Sequence, residues 1–419
     1  MSILPKYYIW TIGCQMNKAE SERFGGALTQ AGYEVAEKLV EANLIILNTC
    51  VVRQGAEDRA TGRIHSFKKL KSQNPSLKIA VTGCLVGEDI PALQKRFPHV
   101  DYFFGAGAPL PFLDEPTAAT VGQVAPSEYL PIMQGCNNFC TYCIVPYRRG
   151  RERSRPPDEI VAEAESLMEG GAREIILLGQ NVNSYGHDLP EKPSLAALLA
   201  RLNNIGKLAR IRFLTNHPKD MSQELIEAIA GLVKVCEHVN LPVQAGSDKI
   251  LKTMGRNYTA DHYRSLVKAL RQTVPGIAIS TDIIVGFPGE TPEDFIDTFT
   301  LLRELRLDMV HTAPYSTRPG TAAAAKLTDD VPEAEKTARF EKIEKLQEEI
   351  AQDTNRALEN TVTEILVEGR KKGKWWGRTR TDKLVFVRAE ANLLGKLIRV
   401  KIEKSAPWSL QSSLIEKIY

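Results

Sequence analysis

Short apolar runs alternate with helical patterns along the first 113 residues. The apolar runs cover residues 7–12, 42–48 and 78–82, and a pattern with helical period covers residues 18–31. Apolar runs of strand length that alternate with helices predict a parallel sheet built from βα units. We therefore expect a doubly wound α/β domain over residues 1–113.

A second series of βα units follows a break in the pattern. Residues 114–128 have no periodicity and contain two prolines, which predicts a linker. Beyond it, six apolar runs alternate with amphipathic stretches such as 157–169 and 291–305, and this favours a parallel barrel or partial barrel. The six runs cover residues 129–133, 174–178, 210–214, 238–242, 278–285 and 309–314.

The last part of the chain changes pattern twice. Residues 329–360 are charged with an apolar stripe, so they predict one or two helices that bridge two domains. From Thr361 onwards short alternating strands, with turns at Gly369, Gly373 and Gly377 and a last strand over 397–402, predict a small β-barrel. We expect the core with its bridge to span residues 129–356 and the C-terminal barrel to span residues 357–419.

Composition places the chain among water-soluble proteins of a reducing compartment. Of its 419 residues, 43% are hydrophobic and 25% are charged, and no apolar run approaches the ~20 residues that cross a membrane. The N-terminus lacks a secretory signal pattern, and seven cysteines are too few for a disulfide scaffold of this length. We expect a cytoplasmic protein with no membrane partner.

Charge is unevenly distributed. The net charge is +3, yet residues 357–419 contain 13 Lys and Arg against 7 Asp and Glu. The basic charge is therefore concentrated in the C-terminal barrel, which indicates a polyanion as partner.

Three cysteines occupy one loop after the first predicted barrel strand. Cys136, Cys140 and Cys143 have C-x₃-C-x₂-C spacing, with which one loop can wrap around a cubane cluster. Three thiolate ligands leave one iron of a [4Fe–4S] cluster open to a small molecule. Structural zinc is the main alternative, although it usually takes four ligands in C-x₂-C pairs. The other alternative is that the three cysteines are free thiols that lie together by coincidence.

Three more cysteines follow strands of the N-terminal domain. Cys14, Cys50 and Cys84 lie at or just past three predicted strands, and the carboxyl ends of parallel strands meet at one crevice. A second set of three thiolates is the favoured interpretation, although a lone buried cysteine is usually a small hydrophobic residue. We assign Cys236 to the core.

The cysteine loop resembles the radical S-adenosylmethionine (SAM) superfamily, and the similarity to its methylthiotransferases extends over the whole chain. It rests on residues 11–17, 48–53 and 82–84, which are similar to three motifs of that family. The resemblance implies SAM bound at the open iron, a 5′-deoxyadenosyl radical, and an auxiliary cluster on Cys14, Cys50 and Cys84, hence two [4Fe–4S] clusters. Leu85-Val86-Gly87 departs from the family's usual Ala-Gln after the third cysteine.

Residues 143–155 and 179–186 are similar to the branch of this family that acts on tRNA. That branch makes the 2-methylthio derivative of dimethylallyladenosine beside the anticodon. The resemblance implies a tRNA anticodon stem-loop as substrate, a TRAM-type RNA-binding barrel at the C-terminus, and an electron donor such as flavodoxin or ferredoxin. We expect a monomer.

Further site residues are assigned by analogy and by charge. No conventional catalytic dyad is evident, so the cluster ligands carry the chemistry. We assign the SAM pocket to strand-end residues Gln180, Asn181, Gln244 and Ser247. We assign RNA contacts to Arg148, Arg149, Arg151, Lys372, Lys374, Trp376 and Arg378, since arginine recognises phosphate and flat aromatic rings stack on bases.

Alternatives remain open at this point. Related enzymes methylthiolate threonylcarbamoyladenosine in tRNA or an aspartate of a ribosomal protein. A non-enzymatic iron–sulfur protein that binds RNA is the alternative from another class.

Overall fold

The computed structural model describes residues 4–87, 89–113 and 124–418. Its N-terminal domain is a five-stranded parallel sheet with strand order β2-β1-β3-β4-β5. The elements are β1 (Lys6–Thr11), α1 (Gln15–Gln30), β2 (Glu34–Val35), β3 (Leu44–Thr49), α2 (Gln54–Gln73), β4 (Lys78–Gly83), α3 (Ile90–Arg96) and β5 (Tyr102–Phe103).

Helices cover both faces of this sheet. On the buried strand β3, Ile45 and Leu47 belong to the apolar cluster that contains Phe67 of α2. Ile46 points the other way, because side chains alternate along a strand, and it belongs to the cluster that contains Phe24 of α1. The prediction of a doubly wound α/β domain is confirmed.

The central domain is an open barrel of six parallel strands. Strands β6, β9 and β10 form one three-stranded sheet and β11, β12 and β13 form another, and a parallel bridge between Ile211 and Val235 joins them. The elements are β6 (Ser127–Pro131), β7 (Met133–Gln134), α4 (Val145–Arg149), β8 (Arg153–Ser154), α5 (Pro157–Glu169), β9 (Glu174–Leu178), α6 (Leu195–Asn203), β10 (Arg210–Phe213), α7 (Gln223–Gly231), β11 (His238–Asn240), α8 (Asp248–Thr253), α9 (Ala260–Thr273), β12 (Ala278–Val285), α10 (Pro292–Leu305), β13 (Met309–Pro314), α11 (Ala322–Lys326) and α12 (Glu333–Arg356). The predicted partial barrel is confirmed.

Two barrel strands differ from the prediction for local reasons. Strand β6 begins at Ser127, inside the predicted linker, whose residues 114–123 lie outside the described residues. After Pro131 the chain leaves the barrel sheet, because Met133 pairs antiparallel with Ser154 in a hairpin that flanks the cysteine loop. Strand β11 ends at Asn240, shortly before Pro242, whose nitrogen carries no hydrogen for a sheet.

The charged bridge is one helix, α12. Ile343, Leu346 and Ile350 of its apolar stripe are buried, whereas Phe340 is half-buried at the edge of the core. The side chains of Lys336 and Arg339 are also buried, and each forms ion pairs with carboxylates. The helix is therefore part of the core packing as well as a connection.

The C-terminal domain is a closed five-stranded barrel with strand order β14-β15-β16-β18-β17. Its strands are β14 (Val362–Lys371), β15 (Lys374–Thr379), β16 (Leu384–Val387), β17 (Leu397–Ala406) and β18 (Ser409–Lys417). Gly373 makes the predicted turn with a φ of 76°, but Gly369 and Gly377 lie inside strands. A side chain at Gly369 would meet the Trp376 ring at 2.8 Å, so packing explains that glycine. Strand β17 is longer than predicted, and β18 was not predicted.

Two arginines of barrel strand β10 hold the C-terminal barrel in place. Arg210 donates to the carbonyl of Arg378 at 2.7 Å and to the carboxylate of Glu364 at 2.7 Å. Arg212 donates to the carbonyls of Thr379 at 2.5 Å and Arg380 at 2.8 Å. Both arginines are buried, so these bonds fix the C-terminal barrel against the amino-terminal end of the central barrel.

Within the described ranges, no helix is both long enough and apolar enough to cross a membrane.

Candidate active site

One cavity of about 1150 Å³ contains the six cysteines that the sequence singles out. The N-terminal domain lies over the carboxyl ends of the barrel strands, where Met16 and Ala19 of α1 pack against Ile176 and Leu178 of β9. The cavity continues through the barrel to the C-terminal domain, where Lys383 and Trp408 are among its lining residues. All three domains therefore enclose it.

The first three cysteines meet at the crevice of the N-terminal sheet. In a sheet with this strand order, the topological switch point lies between β1 and β3, and ligands bind outside the carboxyl ends there. Cys14 follows β1, Cys50 follows β3 and Cys84 follows β4. Cys14 is exposed to solvent, whereas Cys50 and Cys84 are buried.

Two buried asparagines fix the loops that carry Cys14 and Cys50. The Asn17 amide donates to the side-chain oxygen of Asn48 at 2.7 Å and to the carbonyl of Thr49 at 2.9 Å. The Asn48 amide donates back to the carbonyl of Asn17 at 2.9 Å. Because both side chains are fully buried, this reciprocal pair locks the relative position of the two cysteine loops.

Thr49 and Gly13 bring the third loop and the first strand end close to Cys50. The carbonyl of Thr49 accepts from the amide of Cys84 at 2.9 Å, and its hydroxyl accepts from the amide of Leu85 at 3.1 Å. Gly13 has a φ of 149°, and a Cβ there would lie 2.9 Å from the Cβ of Cys50. Only glycine permits this close approach without strain.

The second cysteine loop is tied to three parts of the barrel. The amide of Gly135 donates to the side-chain oxygen of Gln180 at 2.5 Å, after strand β9. Thr141 donates from its amide to the carbonyl of Met254 at 2.9 Å and accepts from the amide of Ala323 at 2.7 Å. Rigid elements therefore position the loop that carries Cys136, Cys140 and Cys143.

The thiols fall into two electrostatic groups. Burial and then the neighbouring Cys84 and Cys14 raise the pKa of Cys50 to about 11. Burial and then Cys140 raise the pKa of Cys143 to about 12, and Cys136 also contributes to that rise. Cys50 in one set and Cys143 in the other therefore resist ionisation unless a cation is bound beside them.

These donors fit iron–sulfur clusters. Bound metal ions deprotonate thiols and supply the positive charge that both groups require. In the part of the chain that the structure describes, no three His, Cys, Asp or Glu side chains converge tightly enough to bind a single metal ion. A cluster binds each cysteine through a different iron, so its ligands can lie further apart than those of a single ion.

Each cysteine set has a buried arginine beside it. Arg256 donates to the sulfur of Cys140 at 3.6 Å, although 116 residues separate the two in sequence. Burial raises the pKa of the Cys84 thiol, while the charge and hydrogen bonding of Arg149 oppose that rise. Sequence reasoning missed Arg256, because nothing in its local pattern relates it to the cysteine loop.

The structure gives Arg149 a contact between domains, and its assignment to RNA stays a prediction. Its guanidinium is buried and forms an ion pair with Glu20 of α1 at 2.6 Å, so it lies between two domains and away from solvent. Arg148 is half-buried and lies over Gly87, where a Cβ would clash with its Nη1. Arg151 is exposed and stacks 4.2 Å from the ring centre of Phe139.

Of the four residues that we assigned to the SAM pocket, two line the cavity and two do not. Gln180 and Gln244 line the cavity, close to the cysteine loop and the strand ends. Ser247 does not line it, because its hydroxyl caps helix α8 and donates to Asp294 at 2.7 Å. Asn181 is also outside the lining and donates to Asp220 at 2.8 Å. These contacts favour Gln180 and Gln244 over Ser247 and Asn181 as SAM contacts, and the assignment of all four stays a prediction.

Polar residues that the sequence did not indicate also line the cavity. His217 follows strand β10, and burial and then the charges of Arg256 and Lys219 lower its pKa to about 2. The ring is therefore neutral, and its Nδ1 accepts from the amide of Lys219 at 3.2 Å, which leaves the proton on Nε2. Asp282 of β12 also lines the cavity, and its carboxylate accepts from Asn240 at 3.3 Å.

The C-terminal residues assigned to RNA lie in different places. Lys372 is exposed at the β14–β15 turn, Lys374 donates to Gln411 at 2.8 Å, and Trp376 is half-buried on the outside of the barrel. Trp375, by contrast, belongs to the barrel core. Arg378 faces the central cavity beside Asp382, 3.6 Å away, and its assignment to RNA stays a prediction.

Three family models match the chain. The model described as "Radical SAM superfamily" matches residues 130–302, and the model described as "Uncharacterized protein family UPF0004" matches residues 6–105. The model described as "TRAM domain" matches residues 356–415. Each match falls on one of the three structural domains.

Curated relatives are similar over nearly the whole chain, and the two described here carry the name tRNA-2-methylthio-N(6)-dimethylallyladenosine synthase. The protein of Dehalococcoides mccartyi is 54% identical over 415 residues, which covers 99% of this chain and 99% of that protein. The protein of Thermoanaerobacter pseudethanolicus is 44% identical over 439 residues, which covers 98% of this chain and 93% of that protein.

Solved structures share the fold at low sequence identity. The radical S-adenosylmethionine methyltransferase TsrM from Kitasatospora setae aligns with a TM-score of 0.54 and 14% identity, covering 77% of each chain. The cobalamin-dependent S-adenosylmethionine radical enzyme OxsB aligns with a TM-score of 0.51 and 12% identity, covering 82% of this chain and 56% of that chain. At these identities the likeness concerns the fold alone.

Proposed function

Because the chain belongs to the family of tRNA-2-methylthio-N(6)-dimethylallyladenosine synthases, we propose that it adds a methylthio group to carbon 2 of dimethylallyladenosine in tRNA. The target would be the nucleoside beside the anticodon. Carbon 2 of adenine is neither acidic nor nucleophilic, so general acid–base groups would contribute little to such a reaction. Radical chemistry suits it.

The enclosure of six cysteines in one cavity is the observation that carries this proposal. Two sets of three thiols, each from a different domain, line the same space of about 1150 Å³. An enzyme that generates a radical at one cluster and delivers sulfur from another needs both close to a single substrate atom. A non-enzymatic RNA-binding protein needs no such cavity.

Cys136, Cys140 and Cys143 would hold one [4Fe–4S] cluster, and Cys14, Cys50 and Cys84 would hold the other. When bound, these clusters and SAM supply the radical and the sulfur for substitution at an inert C–H bond. Gln180 and Gln244 would contact SAM, because both line the cavity beside the cysteine loop. The buried Asn17 and Asn48 pair would hold the auxiliary ligands in place.

The chain's other cavity groups would bind and orient the substrate. His217 lines the cavity, and its neutral ring presents an N–H donor from Nε2. The target base must leave its stack to reach this interior. Its RNA would be held by the exposed Arg151 and Lys372 and by the half-buried Lys374, Trp376 and Arg378.

We further propose that the enzyme works in the cytoplasm as a monomer. A flavodoxin or ferredoxin would supply electrons, since cleavage of SAM consumes them. Cytoplasmic tRNA is the substrate that this location provides.

Nucleoside mass spectrometry of tRNA tests the proposed function. A deletion strain should accumulate dimethylallyladenosine without its 2-methylthio group, and the wild-type gene should restore the modified nucleoside. A gene with Cys50→Ala should not restore it. Loss of 2-methylthio from threonylcarbamoyladenosine instead, or of methylthio from a ribosomal protein aspartate, would identify one of the related activities and overturn this assignment.

A further inference from the structure

An open groove of about 640 Å³ lies between β1 and α2 of the N-terminal domain. We call it the α2 groove, and its lining residues are Trp10, Thr11, Ile12, Gly13, Arg59, Gly62, Arg63 and Ser66. The guanidinium of Arg63 stacks 3.4 Å from the ring centre of Trp10. The groove therefore offers a flat stacking surface with a fixed positive charge.

The α2 groove lies along a basic helix. Helix α2 carries five Lys and Arg and two Asp and Glu. Of the two acidic residues, Glu57 pairs with Arg318 at 3.0 Å, and Asp58 is hydrogen-bonded to Gln54 at 2.8 Å and not to an arginine of the groove. Arg59 and Arg63 thus direct their charge to the groove face of the helix.

Two glycines on the same helix have no packing explanation. A Cβ at Gly62 would meet nothing within 4 Å, and one at Gly55 would meet only the Nη1 of Arg59 at 3.5 Å. Neither of the two has a positive φ. Glycine lowers the stability of a helix interior relative to alanine, so the chain itself gains nothing from these two. A partner that comes close to the helix backbone would explain them.

The α2 groove adjoins the candidate active site. Gly13 lines the groove and the next residue, Cys14, lines the central cavity. On α2, Gly55 lines the cavity and Arg59 lines the groove, one helical turn or about 6 Å further along. That step is comparable with the spacing of neighbouring phosphates in an extended nucleotide strand.

We propose that the RNA strand next to the target nucleoside lies in the α2 groove. Arg59 and Arg63 would contact its phosphates, and a flanking base would stack on the Arg63–Trp10 pair. The open space over Gly55 and Gly62 would accept the sugar–phosphate backbone. This inference rests on the proposed function, in which tRNA is the substrate, and it assigns RNA recognition to the N-terminal domain as well as to the C-terminal barrel.

RNA binding at several salt concentrations tests the proposal. The probe is a fluorescently labelled anticodon stem-loop RNA that carries dimethylallyladenosine, bound by full-length reconstituted enzyme. Arg59→Gln and Arg63→Gln should each weaken binding roughly three- to tenfold and make the slope of log K against log salt shallower by about 0.7. Lys68→Gln is the matched control, because it removes one charge from the same helix about 140° around the axis from Arg63.

A glycine variant separates binding from stability. Gly62→Gln should keep or raise the thermal midpoint, since glutamine favours a helix, and should weaken RNA binding roughly tenfold by filling the groove. Unchanged affinity and salt slope in all three groove variants would overturn the groove proposal, provided that the wild type binds and modifies the RNA. Failure of the wild type to bind would overturn the proposed function instead. Slower cluster reduction by flavodoxin with unchanged RNA affinity would show that a protein uses this surface, and would also overturn the proposal.

Discussion

The buried ion pair between Arg149 and Glu20 joins helix α4 of the central domain to helix α1 of the N-terminal domain. The two side chains are 2% and 8% exposed, and Arg149 also lies beside the Cys84 thiol. An ion pair of this kind adds little net stability, but removal of one partner leaves the other buried and uncompensated. Arg149 is therefore a positioning residue for the two domains.

Arg149→Leu should destabilise the folded protein by about 3–5 kcal/mol, because it leaves the buried Glu20 without its partner. Thermal denaturation of anaerobically reconstituted enzyme measures this. The double variant Arg149→Leu with Glu20→Leu should recover part of the loss, and Arg151→Leu, an exposed neighbour, should change stability little. A single Arg149→Leu variant as stable as the wild type would contradict this interpretation of the pair.

His217 should make the protein sensitive to acid. Its folded pKa is lowered to about 2, whereas an unfolded histidine titrates near 6.5, so only the unfolded chain takes up this proton between those values. Stability should therefore fall as the pH drops below 6.5, by about 1.4 kcal/mol for each pH unit well below that value. Denaturant unfolding at pH 7.5 and pH 5.5 measures the difference. His217→Gln should reduce it, and an equal loss in both proteins would exclude this histidine as a cause.

The location of a single residue could be predicted where its position relative to a strand determines it. Cys14, Cys50 and Cys84 each follow a strand of one parallel sheet, so their convergence follows from topology. Ser247 and Arg149 were not predictable in the same way. A position near a strand end or a cluster loop does not determine which way a side chain points, and tertiary contacts with Asp294 and Glu20 decided it.

Elements were predictable to within one or two residues where apolar periodicity was strong. Strands β9, β12 and β13 and helix α5 match the predicted ranges. The errors have identifiable causes. The hairpin of β7 and β8 interrupts an apolar run, and glycines inside β14 and β15 imitate turns because they make room for Trp376 and for the backbone of Leu366.

Strand β10 carries a prediction about domain docking. Arg212→Leu should loosen the C-terminal barrel, because it removes donors from the carbonyls of Thr379 and Arg380 and leaves the buried Glu174 without its partner at 3.0 Å. Limited proteolysis should cut faster between residues 357 and 361, and RNA affinity should fall while iron content stays the same.

Arg399→Leu is the control for the docking experiment. Arg399 lies in the C-terminal barrel and pairs with Glu416 at 2.8 Å on an exposed surface, where such pairs contribute little. The docking role of Arg212 is excluded if both variants show the same proteolysis rate as the wild type.

At the scale of the whole molecule, the two cysteine sets should behave as independent cluster sites. Reconstituted wild type should contain about eight iron and eight sulfide per chain. The variant with alanine at Cys136, Cys140 and Cys143 should contain about half, and so should the variant with alanine at Cys14, Cys50 and Cys84. Only the second should still cleave SAM under reduction, and it should not transfer sulfur. Complete loss of iron in either variant would contradict independence.

The packing of the three domains against one another could not be predicted from the sequence. Met16 and Ala19 of α1 are apolar residues, but the sequence does not show which surface they pack against. Their partners are Ile176 and Leu178 inside the barrel, and this contact places one cysteine set over the other. Such contacts depend on the shapes of the surfaces of two folded domains, and the pattern of a single sequence does not give those shapes.

The position of the C-terminal barrel has a consequence for modular exchange. RNA-binding modules of this size are often treated as interchangeable attachments, but here Lys383 and Trp408 line the same cavity as the six cysteines. A substitute module that bound RNA equally well would still have to reproduce that surface, or the reaction chamber would open to solvent and oxygen at its far end. The C-terminal barrel and the central barrel should therefore be exchanged together rather than separately.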